Sequence, residues 1–305
     1  MSIIKSLSVG NGDMYYINHN SDNFTMIDCC MCDDNQEAIV QELKAESKGK
    51  NIVRFISTHP DDDHIRGLTY LHQEMNILNF YTVKNAARKK EECWTDDFGQ
   101  YCDLRDDAKK AFYLYKGCGR RWMNQANDER GSAGINFLWP ITNNAFYQQA
   151  LADAYAGESP NNISPIFTYS VQDGIKALWM GDLESSFQEN IKDEITLPSV
   201  DVLFAPHHGR SSGKVIPEWL EQMSPNLIII GEAPCEHLDY YDGYDTITQN
   251  SAGDIVLDCS GDNVHVYVSN GEYSVEHLEN EYMPDAYEAT YIGTLKVKAA
   301  VANVA

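Results

Sequence analysis

Three short stretches of this chain hold side chains able to bind a metal ion. Ser57-Thr-His-Pro-Asp-Asp-Asp-His-Ile-Arg-Gly67 sets His59, Asp61, Asp63 and His64 within six residues, directly after an apolar run over 52–56. Imidazole nitrogens and carboxylate oxygens at that spacing suit zinc, manganese or iron. Ala177-Leu-Trp-Met-Gly-Asp-Leu-Glu184 ends a second strand pattern on Asp182, and Asp201-Val-Leu-Phe-Ala-Pro-His-His-Gly-Arg-Ser-Ser-Gly213 runs a third into His207, His208 and a glycine-rich loop. Loops at the carboxyl ends of buried strands are where layered α/β proteins place their sites. A solvated acidic turn with incidental histidines would explain the first stretch alone, but four of the nine histidines fall in the two histidine-bearing stretches.

The elements that must position these groups follow from hydropathy. Strand patterns rich in β-branched and aromatic residues cover 3–9, 14–17, 24–27, 52–56, 79–83, 135–139, 166–171, 177–180, 200–204 and 227–230, and alternation resumes over 254–278. Helix-period segments lie between them, at 35–47 with Ile39, Val40 and Leu43 on one face, and at 184–192. Gln172-Asp-Gly174 reads as a hairpin turn. This alternation predicts an α/β fold.

With 305 residues, 23 Lys plus Arg, 46 Asp plus Glu and a net charge of −23, the chain is acidic and long enough for a substantial core. Loose attachment to nucleic acid or an anionic membrane is disfavoured, because both attract basic stripes. The N-terminal residues lack a signal-like apolar stretch, and no run approaches the roughly 20 apolar residues that span a bilayer. A cytoplasmic protein is expected, with its eight cysteines mainly free thiols; the cluster Cys29, Cys30 and Cys32 has no histidine beside it to complete a metal site. The charge is uneven. Residues 84–130 hold eleven bases and nine acids, a local +2, while the remainder holds 12 bases and 37 acids, or −25. The same stretch carries Trp94, Phe98, Tyr101, Phe112, Tyr113, Tyr115 and Trp122, and is expected to form a helical basic and aromatic insertion or lid.

The order HxDxDH, a strand-terminal Gly-Asp and Pro-His-His-Gly is similar to the metallo-β-lactamase superfamily, and most resembles the branch containing the hydrolase domain of the DNA-uptake competence protein ComEC. The opening Ser6-Leu-Ser-Val-Gly-Asn-Gly-Asp13 with Met26-Ile-Asp28 resembles the start of that branch, as do Ile135-Asn-Phe-Leu-Trp-Pro140 and Asn161-Asn-Ile-Ser164 further on, and Pro225–Gly231 followed by Glu236-His237 occupies the place of its last strand and histidine-bearing loop. The resemblance covers about residues 3–270 apart from the insertion. It implies one αββα four-layer sandwich domain over 1–305, interrupted by 84–130 and extended by 282–305. It further implies that Asp63 and His64 bind one metal with a histidine of the 207–208 pair, that His59 and Asp61 face a second, and that Asp182 bridges them. Aligning on Gly209 favours His208 as ligand and leaves His207 for substrate or proton transfer, with the reverse assignment open.

Two departures bear on the metal. Asp61 stands where the superfamily's HxHxDH pattern has a histidine, and no histidine lies between His72 and His207, where Asn161, Asn162 and Ser164 take the corresponding place. Such an oxygen-richer site shifts preference from zinc toward Mn²⁺ or Mg²⁺, and one or two divalent ions (Zn or Mn) are expected. Ions of this kind make water nucleophilic near neutral pH and polarise the substrate, so the chemistry is hydrolytic. Asp63 would accept or orient a proton, and His207 or His237 would stabilise the leaving oxygen. Thr58 and Ser57 are candidates to hold the ligating imidazoles.

The branch resemblance points to a phosphodiester substrate, with single-stranded DNA or a nucleotide as candidates. Arg120 and Arg121, among the aromatics of the insertion, would grip a phosphate backbone, with Asn162 and Ser164 contacting substrate. Inward packing of Phe112, Tyr113 and Tyr115 on a pair of amphipathic helices is the structural alternative for that segment. Two other functions compete: hydrolysis of a small phosphodiester or nucleotide, and a metal-binding interaction module with reduced catalysis. The run 291–297 reads as an added edge strand or a strand that binds a protein partner.

Overall fold

The alternating strand and helix patterns resolve into two sheets and eight α-helices in the computed structural model, which describes residues 2–124, 133–172, 174–232 and 240–298. In chain order the strands are β1 (Ser2–Ser6), β2 (Tyr15–Asn18), β3 (Asn23–Ile27), β4 (Cys29–Cys30), β5 (Ile52–Ile56), β6 (Phe80–Val83), β7 (Ala111–Leu114), β8 (Ile135–Trp139), β9 (Ile166–Ser170), β10 (Lys176–Trp179), β11 (Val202–Phe204), β12 (Leu227–Ile230), β13 (Thr246–Thr248), β14 (Ile255–Ser260), β15 (Asn263–Val268) and β16 (Thr290–Lys296). The helices are α1 (Gln36–Glu46), α2 (Asp62–Ile65), α3 (Leu68–Met75), α4 (Asp96–Asp106), α5 (Ala145–Ala156), α6 (Ser185–Ile191), α7 (Pro217–Met223) and α8 (Gln249–Ala252). No helix among the described residues is long and apolar enough to cross a membrane.

The nine-stranded sheet runs β16-β15-β14-β1-β2-β3-β5-β6-β7 and the six-stranded sheet β13-β12-β11-β10-β9-β8. Each has a parallel portion, β3-β5-β6-β7 in the first and β10-β11-β12-β13 in the second. Those portions deliver the chemistry. Asp28 follows β3, His59 follows β5, Asp182 follows β10 and His207 and His208 follow β11, so every stretch singled out above leaves the carboxyl end of a parallel strand.

Period-two alternation decides which face each strand residue covers. Ile17, Ile27, Ile56 and Tyr81 of the first sheet join Phe167, Leu178, Leu203 and Ile229 of the second in one apolar cluster. Tyr15 meets Trp179 and Phe204 edge-on at centroid distances of 6.2 and 5.1 Å. Phe24, Met26, Phe55 and Phe80, on the other face of the larger sheet, pack against Val40 and Leu43 of α1, Leu68 and Leu71 of α3 and Leu104 of α4. Each fully buried side chain of this size contributes about 1.5–3 kcal/mol, so both sheets are anchored behind their functional ends.

Local differences from the sequence reading have physical reasons. The 84–130 stretch is not a helical insertion over its described part: it holds α4, but its Ala-Phe-Tyr-Leu run forms β7 and pairs in parallel with β6 at the sheet edge. Phe112 is half-buried there while Tyr113 and Tyr115 are exposed, as alternation along an edge strand requires. β9 and β10 pair antiparallel as the hairpin reading requires, although Asp173 of its turn lies outside the described residues. In the tail, 255–268 form two strands, whereas Tyr273 and Val275 lie outside any strand. β16 pairs antiparallel with β15 as an added edge; residues 299–305 lie outside the described residues. Cys29, Cys30, Cys32, Cys93, Cys102, Cys118 and Cys259 are free thiols, and Cys235 lies outside the described residues.

Candidate metal centre

Asp182 is the focus. The Gly181-Asp182 turn lifts it from the end of β10 into a buried position, 2% exposed. Gly181 has φ +51, and a Cβ there would come within 2.7 Å of Ser164 Oγ and 2.9 Å of Thr58 Cβ, so only glycine lets the turn approach that closely. Around Asp182 stand four imidazoles. His64 Nε2 lies 3.0 Å from Oδ1, and the Nε2 atoms of His59, His207 and His208 lie 3.8, 3.7 and 3.7 Å from Oδ2. Asp63 Oδ2 is 3.4 Å from His208 Nε2.

Each imidazole is oriented from behind. Thr58 donates its hydroxyl to Asp28 Oδ2 at 2.6 Å, so its oxygen is left to accept the Nδ1–H of His59 at 3.0 Å. Ser164 Oγ is 3.2 Å from the same nitrogen and accepts the amide of Asp182. His64 Nδ1 donates to Asp28 Oδ2 and His208 Nδ1 to Asp13 Oδ1, both at 2.9 Å, and His207 Nδ1 pairs with Ser212 Oγ at 2.9 Å. The consequence is uniform: the Nε2 atoms turn inward, and those of His59, His64 and His208 are buried without a hydrogen-bond partner.

Backbone strain contributes to this aim. Asp28, His207 and His208 adopt left-handed φ values of 55°, 55° and 56°, each costing on the order of 1–3 kcal/mol for a residue with a Cβ. The kink turns the two consecutive histidines toward Asp182 rather than to opposite sides. Gly209 follows at φ +84, where a Cβ would lie 2.5 Å from Ile230 Cγ2. Parallel bridges from Cys29 to Ile65 and from Cys30 to Arg66 pin α2, and with it Asp63 and His64, beside the end of β3.

Burial opposes charge throughout, and acid neighbours decide which histidines overcome it. His64 is held well above its ordinary pKa because Asp182 and Asp28 outweigh its desolvation, and His208 is raised to about 10 by Asp13 and Asp182 against the same penalty. Burial wins at His59, lowered to about 3 with His64 adding to the effect, and at His207, which is also lowered. At Asp182 the charges of His64, His208 and His59 outweigh burial and hold the carboxyl well below its usual range, and at Asp63 the adjacent imidazoles of His208 and His64 do the same.

Among the described residues, two buried groups can hold a metal ion: His59, His64 and Asp182, and Asp13, His64 and His208. In the second, Asp13 sits on the Nδ1 side of His208, away from the inward Nε2, and so acts as an orienting group. Neither Asp13 nor Asp28 stood among the sequence-derived site residues. The available signal was an aspartate closing an apolar strand at Met26-Ile-Asp28, and another ahead of one at Asp13.

Other expected site residues lie elsewhere. Asp61 belongs to neither group; its side chain is 39% exposed and 3.9 Å from Lys89 Nζ. Ser164 is fully buried behind His59, which corrects its expected substrate contact to a positioning role. Asn162 exchanges two hydrogen bonds with Glu184, at 3.0 and 3.1 Å. Arg120 and Arg121 do not flank the cluster. They line a cavity of about 550 Å³ with Asn136 and Phe137, toward the end of β8 opposite the one that pairs with the start of β9, near Ser164. Arg120 lies over the Tyr81 and Phe112 rings and Arg121 over Trp122. His237 lies outside the described residues. No protein-family model matches the chain, and no curated protein matches it in sequence.

Proposed function

We propose that this chain is a metal-dependent hydrolase of phosphodiesters, with the four-layer αββα sandwich of the metallo-β-lactamase superfamily and closest to its ComEC-like branch. One observation carries the reading. Bonds of about 2.0–2.2 Å to a tetrahedral ion place its donors about 3.3–3.6 Å apart; Asp63 Oδ2 lies 3.4 Å from His208 Nε2 and Asp182 Oδ2 lies 3.7–3.8 Å from the Nε2 atoms of His207, His208 and His59, with His64 Nε2 closer to Asp182 at 3.0 Å. The longer gaps exceed ordinary hydrogen bonds of 2.7–3.2 Å, yet the nitrogens of His59 and His208 are buried and unpartnered. A divalent cation fits the set. Helices α1, α3 and α4 on one face of the larger sheet, and an apolar cluster shared by the two sheets on its other face, support the layered reading.

Asp63, His64, His208 and Asp182 would hold one ion, and His59 and His207 a second across Asp182. When bound, such an ion polarises the substrate oxygen and supplies a nucleophilic water at neutral pH. Asp63, partly open to solvent and held ionised, is placed to accept or orient a proton. His207 is lowered by burial, which favours its neutral form and so suits ligation better than the role on the leaving oxygen expected from sequence. Asp61 stands in neither buried metal-holding group, but burial and the neighbouring Asp63 raise its carboxyl above the ordinary range, so it stays close enough to the cluster to remain a candidate oxygen donor.

The displacement of Arg120 and Arg121 from the cluster favours a small phosphodiester or nucleotide over a gripped strand as substrate. Metal-supplemented assays on single-stranded DNA, double-stranded DNA, RNA and bis(4-nitrophenyl) phosphate test this. Hydrolysis of the small diester with Zn²⁺ or Mn²⁺ is expected. Firm metal binding with no hydrolysis of any of the four would instead identify a metal-binding interaction module.

A further inference from the structure

The basic segment approaches the cluster at a different place from the expected clamp. After β6 the chain runs through Lys84-Asn-Ala-Ala-Arg-Lys-Lys90, and Arg88 is fixed by its amide bonding Ala154 O at the end of α5 and by its guanidinium lying 4.0 Å over the Tyr155 ring. Lys89 pairs with Asp62, approaches Asp61 to 3.9 Å and crosses the Phe98 ring. A cavity of about 250 Å³ opens here, lined by Pro60 and Asp61 of the ligand loop on one side, by Arg88, Lys89 and Lys90 on another, and by Ser159 and neighbouring residues beyond. It begins one residue from His59.

The lining combines three cations with three carboxylates, Asp61, Asp62 and Glu158. Lys89 is engaged with Asp62, while Arg88 and Lys90 make no ion pair among the described residues. A ligand matched to this arrangement presents an anion to Arg88 and Lys90 and hydrogen-bond donors to the carboxylates. A sugar phosphate bearing hydroxyl or amine donors, such as a nucleotide, has both. The volume falls below the roughly 300–1,000 Å³ typical of pockets for drug-sized ligands, which admits one such unit and not a polymer. Arg can meet a phosphate with two parallel N–H groups, whereas Lys contributes a point charge.

We infer that the cavity between the His59–Asp62 loop and Arg88–Lys90 is a nucleotide subsite beside the metal centre, with Arg88 and Lys90 receiving the phosphate. This deepens the hydrolase reading and rests on it for the direction in which substrate lies. Its binding test is independent of turnover. Adenosine 5′-monophosphate is titrated calorimetrically into the metal-loaded full chain, its Arg88→Gln/Lys90→Gln variant and its Arg120→Gln/Arg121→Gln variant, with thermal melts to verify folding. The expected result is at least a tenfold weaker affinity in the first variant, a wild-type affinity in the second, and a raised KM for bis(4-nitrophenyl) phosphate in the first alone. Equal affinity in the 88/90 variant and the wild type, or no binding by the wild type up to millimolar nucleotide, overturns the subsite. The two readings separate cleanly. Binding that depends on Arg88 and Lys90 without hydrolysis keeps the subsite and removes the hydrolase, while hydrolysis with unchanged KM and nucleotide affinity does the reverse.

Discussion

Two buried polar clusters lie on the same parallel strands, and they treat charge in opposite ways. At the carboxyl ends of β3, β5 and β11, His64 and His208 face Asp28, Asp13, Asp63 and Asp182, and these acids raise both imidazoles above their ordinary pKa against the burial penalty. Further back on β3 and β5, Arg54 is 1% exposed and donates to neutral oxygens, among them Thr25 Oγ1 at 3.0 Å, Asn23 Oδ1 at 2.7 Å and Trp122 O at 3.4 Å. His19 Nε2 contacts the same Thr25 hydroxyl at 2.9 Å, and burial together with Arg54 and Lys50 pushes this histidine well below its ordinary pKa. Both clusters bury imidazoles. Acidic neighbours make one a cation site, and a buried guanidinium makes the other hostile to a second positive charge.

The sharpest way to break this comparison is to remove the shared acid. Asp182→Asn is expected to abolish firm metal binding and, on the proposed function, to lower phosphodiester hydrolysis on the order of 10³-fold through loss of the ion that would stabilise transition-state charge; metal analysis and steady-state rates read the two effects. At the opposite cluster, Arg54→Ala should cost about 2–4 kcal/mol of stability through the cavity and the stranded acceptors. Chemical denaturation measures that cost, and metal content per folded chain should not change. Should Arg54→Ala release metal, the two clusters are coupled.

Smaller effects sharpen the contrast. Asp28→Asn or Thr58→Val leaves every inward Nε2 in place but loosens what holds His64 or His59, and is expected to weaken metal affinity about 10–100-fold in competition with a chelator. The pH response of His19 is the smallest effect. Its folded pKa lies below the unfolded value of about 6.5, so the folded state binds fewer protons and stability declines as pH falls below that value, by at most about 1.4 kcal/mol per pH unit. His19→Asn should flatten the acid limb of the stability profile, and an unchanged slope would remove His19 from this role.

Much of the layout was legible in the sequence because buried strands leave apolar runs, continuous on parallel β5 and β12 and alternating on the antiparallel edge strand β8. The patterns at 52–56, 135–139 and 227–230 match β5, β8 and β12 residue for residue, and α1 buries Ile39, Val40 and Leu43 as its spacing requires. The edge strand β7 was not legible. Its four residues carry no alternation long enough to distinguish a strand from a helix segment, and pairing with β6 decided the outcome. Arg120 and Arg121 were misplaced for a related reason, since composition brings bases and aromatics into one stretch without saying which strand end they reach.

The sequence by itself determined which residue types stand at strand ends: His59, Asp63, His64, Asp182, His207 and His208 are tied there by hydropathy and turn chemistry within a few residues of each. Tertiary structure alone decided which of them converge. Asp13 reaches His208 across 195 positions and Ser164 reaches His59 across 105, while Asp61, only two residues from His59, belongs to neither metal-holding group. Nitrogen orientation depends on such distant partners, and so does charge state, because a buried imidazole takes its protonation from the groups packed around it and not from its neighbours in the chain.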